Sequence, residues 1–297
     1  MEKALFIYNP KSGLRIVPKK LDHIVERFME AGIIIQPLRF GSDGMDHLSY
    51  MLDEDGYSFL MASGGDGTIN AALNAMLKKG INIPFGIIPS GTCNDTARSL
   101  GIPSNLDKAL DVILQGNTIE VDTGLINEQT YFLNSCAGGT FAEVSYGTND
   151  DIKKSIGALA YYLKGLSEFA NVKPFKAKIT TDDRTVEEEL FLFLILNGKH
   201  VAGFNNVIAR ANVQDGLMDI ILVKKCYPLE LAGFAINMLS DNLEKEKHAI
   251  QLRTRKCTIE SDSRLFLSVD GEKMGQLPIT VSFLNKNIRV FAPTPSN

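Results

Sequence analysis

The sequence predicts an α/β protein in which a parallel sheet covered by helices is followed by a β-sandwich. Short apolar segments alternate with helical periodicity over residues 1–114, a pattern typical of a parallel sheet with helices on both faces. From Thr118 onward the pattern changes to many short alternating segments, which favours a sandwich of strands. A length of 297 residues leaves room for two domains, which we place at 1–120 and 121–297, with the last strand allowed to return to the first domain.

Composition narrows the class of protein. A formal net charge of −4 argues against binding of nucleic acid through overall positive charge. The four cysteines form no CxxC pair, so reduced thiols are favoured over a disulfide framework or a zinc site. No apolar run approaches the roughly 18 residues that a membrane span needs, and the N-terminus lacks the shape of a signal peptide. We therefore expect a cytoplasmic protein whose contact with a membrane is peripheral.

The N-terminal elements follow from apolar spacing. Pro18 near the start of the first helix and Gly32 after its end agree with the usual helix boundaries. Strands are expected at Ala4–Tyr8, Ile33–Phe40, Phe59–Ala62 and Pro84–Ile88, and helices at about 18–31, 46–54, 69–77, 97–100 and 106–114.

The segment Ser63–Thr68 joins the third strand to an amphipathic helix. Three of its residues are glycines, so the backbone can approach a ligand closely or adopt positive φ. The following helix directs free N–H groups and the positive end of its dipole towards such a ligand. A phosphate is therefore expected, and a ligand-free glycine-rich turn is the alternative for this motif alone. A carboxylate at Asp66 would be explained there by a metal ion or by proton transfer.

Two further loops of similar composition also end strands. Asn9–Gly13 follows the first strand and Pro89–Asp95 follows the fourth. Because ligands of parallel α/β sheets bind beyond the carboxyl ends of the strands, we expect Asn9–Gly13 and Gly64–Thr68 to face one crevice. Alternatives from the residues alone are an ordinary turn at Asn9–Gly13 and helix capping by Asn94 or Asp95.

The C-terminal half contains two Asp-Gly pairs, which are common in hairpin turns. One lies in Asp270–Glu272, between predicted strands that begin at Leu265 and Ile279, and the other is at Asp215. Helices are expected to interrupt the strands at about 153–170 and 228–240. The strands are expected at 118–122, 131–134, 177–180, 190–196, 219–223, 257–260, 265–269, 279–283 and 288–291.

Taken in order, these segments resemble the diacylglycerol kinase catalytic family, in its soluble bacterial lipid-kinase branch. Sphingosine and ceramide kinases are relatives. The resemblance covers nearly the whole chain, and the ordered set of motifs is highly specific. The GGDGT motif alone is less specific, because NAD kinases and phosphofructokinases also carry versions of it. The segments that carry it are Asn9–Gly13, Gly64–Asn70, Pro89–Arg98, Asn134–Gly139, Asp215–Asp219 and Val269–Glu272.

The resemblance implies an ATP-binding α/β domain, a β-sandwich lipid-substrate domain and a site in the interdomain cleft. Acidic positions required for activity in the family match Glu272, Asp66 and Asp95, with Glu272 as general base. A structural Mg²⁺ site of the family matches Asp215, backbone oxygens around Asn212 and Leu217, and Asp122 through water. The nucleotide site would be lined by Asn9, Pro10, Lys11, Ser12, Gly13, Gly64, Gly65, Asp66, Gly67, Thr68, Asn70 and Thr92.

Phosphoryl transfer requires similar parts on chemical grounds. Glycine N–H groups, a helix N-terminus and Mg²⁺ would neutralise the phosphates of ATP. A base within about 2.6–3.2 Å must take the proton of the acceptor hydroxyl. Asp66, Asp270 and Glu272 are the candidates, and Asp66 can instead hold the catalytic Mg²⁺.

The expected function is therefore an ATP- and Mg²⁺-dependent lipid kinase acting on diacylglycerol or a similar lipid. The alternatives are a kinase of a soluble acceptor such as NAD and a non-catalytic nucleotide-binding regulator. The partner is a lipid at a membrane surface, no nucleic acid is expected, and a homodimer is allowed. Two interpretations are open for the basic residues Arg253, Arg255 and Lys256: they contact anionic headgroups, or they lie on an exposed strand edge.

Overall fold

The computed structural model describes residues 1–13, 15–41, 44–53, 56–139, 173–227, 230 and 246–294. The chain divides into two compact units. The first unit contains residues 1–123 and 286–297, and the second contains residues 124–285. The predicted helix at 153–170 lies outside the described residues, as does the one at 228–240 except for Glu230.

The first unit is built on a parallel sheet. The sheet has the order β4-β3-β1-β2, and Val290 in the last part of β15 pairs with Phe85 of β4 in the same direction. Strand β3 therefore lies between β1 and β4, which brings the ends of these three strands side by side. The strands are β1 Glu2–Tyr8, β2 Ile33–Arg39, β3 Phe59–Gly64, β4 Phe85–Pro89, β5 Thr118–Ile126 and β15 Ile279–Phe291; β5 and β15 each contribute residues to both units.

Amphipathic helices alternate with these strands. Helix α1 buries Val17, Ile24 and Phe28, and it has Pro18 in its first turn, where the missing N–H costs no hydrogen bond. Helix α3 begins at Asp66, inside the glycine-rich motif, because Gly65 provides the extended residue before it. The helices are α1 Ile16–Glu30, α2 Gly44–Met51, α3 Asp66–Lys78, α4 Asp95–Ser99 and α5 Leu106–Leu114.

The second unit is an antiparallel structure. Its strands follow the order β14-β13-β7-β9-β8-β12-β15, and β10 pairs with both β9 and β11. The remaining strands are β6 Thr130–Phe132, β7 Ser135–Gly139, β8 Phe175–Thr181, β9 Thr185–Leu196, β10 Met218–Lys224, β11 Ala249–Thr254, β12 Lys256–Glu260, β13 Phe266–Val269 and β14 Glu272–Gln276. The predicted fold class is confirmed: parallel strands come first, and an antiparallel region follows.

Each unit has its own apolar core. Phe6, Phe28 and Met61 are fully buried in the first unit. Phe132 and Phe193 have the same role in the second. Among the described helices, none combines the length and the apolar character needed to cross a bilayer.

Three strands of the second unit, β7, β11 and β14, are not predicted from the sequence patterns. Strand β7 contains two glycines, which have low strand propensity. The glycine at 138 fits because a Cβ there would lie 2.4 Å from the ring of Phe193 on the neighbouring strand. Strand β14 is mostly polar because it lies at the edge of the sheet, so the Asp270-Gly271 turn joins β13 to β14 and not to the strand at Ile279.

Candidate active site

Three loops of the first unit meet at the carboxyl ends of β1, β3 and β4. The amide of Asn9 donates to the Ser63 carbonyl at 2.9 Å, and the amide of Ser90 donates to the Gly64 carbonyl at 3.0 Å. The Asn9 side chain donates from Nδ2 to Thr68 Oγ1 at 3.2 Å. The sheet order thus brings the first and second predicted phosphate-binding segments together, with the third beside them.

A chain of serine hydroxyls links the same loops. Ser63 Oγ lies 3.2 Å from Ser90 Oγ, which in turn lies 3.2 Å from Ser12 Oγ. Ser12 Oγ also donates to the Ser90 carbonyl at 3.0 Å. Sequence analysis gave Ser90 no role of its own, and the only signal for it was its position at the end of a predicted strand.

The glycines of these loops are required by close backbone approach. A Cβ at Gly13 would lie 2.1 Å from the Ser90 carbonyl oxygen, and the backbone there has a φ of 49°. A Cβ at Gly91 would lie 2.4 Å from Gly65 Cα. At Gly64 a Cβ would lie 2.3 Å from Thr68 Cβ. Larger side chains would push the loops apart, so the glycines maintain the geometry of the site as well as access to it.

Asp66 holds the start of helix α4. Its Oδ2 accepts the amide N–H of Asp95 at 3.1 Å, and its Oδ1 accepts that of Thr96 at 2.9 Å. The capping interpretation of Asn94 is wrong, because its side chain makes no cap hydrogen bond with a described residue. Asn94 instead bonds to the Gly91 backbone, at 2.8 Å from the Gly91 amide and 3.0 Å from its carbonyl.

The other predicted nucleotide-binding residues surround these contacts. Lys11 and Thr92 have exposed side chains, and the Lys11 amide donates to Asn9 Oδ1 at 2.9 Å. Asn70 is buried, and its Oδ1 accepts a hydrogen bond from Asn74 Nδ2 at 3.0 Å. Pro10 and Gly67 are half-buried. Their roles with a nucleotide stay predictions.

Asp95 is the third acidic residue of this region. It is buried in the first turn of α4, and its Oδ1 lies 3.7 Å from Arg98 Nη1. Asp66 and Asp95 are thus joined through the backbone of α4, because the Asp95 amide is a donor to Asp66.

The two acidic residues of the β13–β14 turn differ sharply. Asp270 is buried, and its carboxylate accepts three backbone amides, from Leu133 at 2.9 Å, Asn134 at 3.0 Å and Ser135 at 2.8 Å. Asp270 and Gly271 both have positive φ, as a two-residue hairpin turn of type I′ requires. Glu272 is exposed on the edge strand. Asp270 therefore has a structural role, and Glu272 is the accessible carboxylate of the pair.

The predicted Mg²⁺ residues are engaged with protein groups. Asp215 Oδ2 pairs with Arg253, and its Oδ1 accepts the Leu217 amide at 3.0 Å. Asn212 Oδ1 accepts the Gln214 amide at 3.1 Å. A cation at Asp215 would have to displace the Arg253 guanidinium. The Mg²⁺ roles of Asp215, of the backbone oxygens around Asn212 and Leu217, and of Asp122 through water stay predictions.

Two more aspartates of this part of the sequence analysis are buried: Asp122, a predicted Mg²⁺ residue, and Asp219, from the Asp215–Asp219 motif. Asp122 is fully buried in the first unit, and its Oδ1 accepts the Lys286 amide at 2.7 Å. Burial raises the pKa of Asp219, although Arg210 Nε lies only 3.0 Å away. Arg253 therefore pairs with Asp215 and approaches Asp219, in addition to its place on a strand edge.

Comparison with known proteins agrees with these motifs. Residues 3–126 match the diacylglycerol kinase catalytic domain, and residues 134–292 match the YegS C-terminal NAD kinase beta sandwich-like domain. A diacylglycerol kinase of Staphylococcus carnosus is 33% identical over 296 residues, covering 98% of this chain and 95% of the relative. One of Bacillus subtilis is 32% identical over 295 residues, covering 99% and 97%.

Solved structures show the same likeness. A crystal structure from Bacillus anthracis str. Sterne superposes with a TM-score of 0.85 at 28% identity, covering 98% of this chain and 95% of that one. Another, of a diacylglycerol kinase from the same organism, has a TM-score of 0.81 at 25% identity, covering 98% and 97%. The matched domains, the full-length relatives and the ordered motifs agree: the chain belongs to the diacylglycerol kinase catalytic family, and it is a kinase of the branch that contains these bacterial relatives.

Proposed function

We propose that this kinase transfers the γ-phosphoryl group of ATP to the hydroxyl of diacylglycerol or a similar lipid, giving phosphatidic acid or an analogue. The observation that carries the proposal is the meeting of three strand-end loops in the first unit, in a chain whose full-length relatives are named diacylglycerol kinases. A kinase of this family uses ATP. The experiment below therefore tests the identity of the phosphoryl acceptor.

The loops offer the groups that ATP phosphates need. Amides at the start of α3 are donors for phosphate oxygens, and the helix dipole favours negative charge there. The exposed cation of Lys11 lies in the first of these loops. We assign nucleotide binding to Asn9–Gly13, Gly64–Asn70 and Thr92.

Asp66 is our choice for the Mg²⁺ that accompanies ATP. Each of its oxygens accepts one amide, which leaves a second lone pair on each, and hard cations prefer such oxygen ligands. When bound, Mg²⁺ supplies positive charge against the phosphate oxygens during transfer. The two amides orient the Asp66 carboxylate.

Glu272 is our choice for the general base. Asp270 is buried and accepts three backbone amides, whereas Glu272 is exposed two residues later. A carboxylate base of this kind takes the proton of the lipid hydroxyl as the phosphoryl group arrives.

The test is transfer from γ-labelled ATP to a panel of acceptors in mixed micelles, containing diacylglycerol, monoacylglycerol, ceramide and sphingosine, with NAD as the soluble acceptor. Wild type should label diacylglycerol most rapidly. Asp66→Asn and Glu272→Gln should each lower the rate by at least about 100-fold. Glu188→Gln, which changes an exposed glutamate on β9, is the matched control and should retain the wild-type rate.

Each outcome decides something definite. No labelled lipid in any micelle would overturn the lipid acceptor, and label on NAD alone would establish the soluble-acceptor alternative. Full activity in Asp66→Asn or Glu272→Gln would instead overturn the assignment of that residue. Nucleotide binding without any transfer would establish the regulator.

We also propose that the lipid is taken from a membrane surface to which the kinase binds peripherally. Arg255 and Lys256 are exposed neighbours in the second unit and can meet anionic headgroups, each contributing about 1 kcal/mol. Arg255→Gln with Lys256→Gln should weaken sedimentation with vesicles rich in phosphatidylglycerol and leave binding to neutral vesicles unchanged. Equal binding of both proteins to anionic vesicles would contradict this.

A further inference from the structure

The ladder between β10 and β11 brings together two residues that are distant in sequence. These strands are antiparallel, with Val223 opposite Ala249, and the Lys224 amide donates to the His248 carbonyl at 2.9 Å. Cys226 follows β10 by two residues, and His248 directly precedes β11. Both side chains are therefore at the same end of this ladder, and both are half-buried.

Glu230 completes a cluster of three potential metal ligands. One ligand atom each of Cys226, Glu230 and His248 lies within 4.8 Å of the other two. His248 Nε2 is 3.2 Å from Glu230 Oε1. Bonds of about 2.0–2.3 Å in a tetrahedral zinc site place ligand atoms about 3.3–3.8 Å apart. Small side-chain rotations are enough to bring the three atoms to that spacing.

The imidazole provides a second observation. His248 Nε2 is buried and makes no hydrogen bond of acceptable geometry with any described residue, although it lies close to Glu230. A buried nitrogen without a hydrogen bond is costly, and a metal ion is a partner that would satisfy it.

Neighbouring groups hold the carboxylate of Glu230. Its Oε2 accepts the Tyr227 amide at 3.0 Å, and its Oε1 lies 3.1 Å from Lys247 Nζ. The Tyr227 amide can keep its bond while the other oxygen binds a metal, as outer contacts do in metal sites. Lys247 is the competitor, and its exposed ammonium can move into solvent.

We propose that Cys226, Glu230 and His248 form a binding site for Zn²⁺ or a chemically similar ion, with three protein ligands and one open position. Thiolate and imidazole are ligands for Zn²⁺ and are poor ligands for Mg²⁺, which prefers oxygen. The site shares no residue with the proposed kinase site and does not rest on the proposed lipid substrate. The sequence does not predict this metal site, because Cys226 and His248 are distant in sequence and strand pairing brings them together.

The test uses the full chain, freed of any affinity tag and stripped with a chelator. Zn²⁺ is titrated by calorimetry, and Co²⁺ is titrated by absorption, in which thiolate ligation gives a charge-transfer band. We expect one ion per chain, a band that Cys226→Ser abolishes, and binding of Zn²⁺ weakened at least about tenfold in His248→Gln and Glu230→Gln. Excess Mg²⁺ should not displace Zn²⁺.

Matched controls change the same residue types outside the cluster. Cys93→Ser and His23→Gln should bind Zn²⁺ as wild type does. Zn²⁺ should also raise the unfolding temperature of wild type and the controls but not that of His248→Gln, and metal-free unfolding curves show that each variant folds. Absence of stoichiometric binding, or wild-type affinity in both Cys226→Ser and His248→Gln, would overturn the site.

Discussion

At the scale of single residues, two aspartates from the sequence motifs accept hydrogen bonds from backbone amides of distant segments. Asp66 accepts amides at the start of α4, and Asp270 accepts amides at Leu133–Ser135. Hydrogen bonds to charged acceptors contribute more than neutral ones. Both residues therefore organise a loop in addition to any part in chemistry, and substitutions have to separate the two effects.

Asp270→Asn should destabilise the second unit. Asparagine has one acceptor oxygen and brings its own N–H donors towards the three amides, so buried amides lose their partner. We expect a loss of at least about 2 kcal/mol in the free energy of unfolding. Urea unfolding followed by circular dichroism measures it. Glu272→Gln is the control and should unfold like wild type while losing transfer activity; equal stability of Asp270→Asn would contradict the structural role.

Gly91→Ala should weaken ATP binding. Its Cβ would lie 2.4 Å from Gly65 Cα and 3.1 Å from Gly65 N, so the loops after β3 and β4 must separate. We expect the dissociation constant for ATP to rise at least about tenfold, which is 1.4 kcal/mol. Calorimetric titration measures it. Gly41→Ala, where a Cβ would lie 3.8 Å from Arg39 Nη1, should bind as wild type does; equal affinity of both variants would refute the idea.

At the scale of elements, the turn between β8 and β9 is joined to the connection between β11 and β12. Asp182 Oδ2 accepts a hydrogen bond from Thr254 Oγ1 at 2.8 Å. The same oxygen accepts hydrogen bonds from the backbone amides of Arg255 at 3.2 Å and Lys256 at 3.3 Å. The hydrogen bond from Thr254, followed by those amides, lowers the pKa of Asp182. One exposed carboxylate thus joins two turns of the second unit.

The Asp182 contacts predict a pH-dependent stability. Because the folded state lowers the pKa of Asp182 below its ordinary value of 3.8, the ionised form stabilises the fold above that pH, and the contribution disappears as pH falls through the lowered value. Asp182→Asn should therefore unfold at a lower temperature than wild type at pH 7. The difference should shrink below about pH 4.

Thermal unfolding from pH 7 to pH 3 measures this effect. Asp183→Asn, at the neighbouring exposed position, is the matched control and should follow wild type throughout. A difference between Asp182→Asn and wild type that stays constant down to pH 3 would show that the carboxylate charge is not the cause.

At the scale of the whole molecule, the first unit is discontinuous in sequence. Residues 286–297 belong to it, although more than half of the chain separates them from residue 123. Val290 pairs with Phe85 on β4, and Phe291 packs edge-on against Phe59 at 5.3 Å between ring centroids. The C-terminal segment is therefore part of the nucleotide-binding unit proposed above.

A stop codon after Asn285 should abolish ATP binding. It removes the buried side chains of Ile288, Val290 and Phe291, each contributing about 1.5–3 kcal/mol to the core. Calorimetric ATP titration and thermal unfolding measure the loss. A stop after Thr294, which keeps the whole of β15, should leave both unchanged. Wild-type ATP affinity in the shorter chain would show that the first unit does not need this segment.

Much of the fold follows from patterns that are local in sequence. Apolar spacing predicts α1 and β1 to within a few residues, because amphipathic periods report which face is buried. Strand β14 is missed because an edge strand with polar side chains carries no such period. The serine at 90 is missed for a similar reason, since its hydroxyl partners are 27 and 78 residues away.

The sequence by itself determined the family, the α/β-then-β order and the candidate acidic residues, since these depend on motifs whose members are close together or follow in a specific order. Only the tertiary structure decided that Asp66 caps α4, that the Asp270 carboxylate accepts three backbone amides, and that Cys226 lies beside His248. The physical reason is that strand order and pairing select long-range hydrogen-bond partners. A motif specifies the chemistry of a side chain, whereas tertiary packing decides which group that side chain binds.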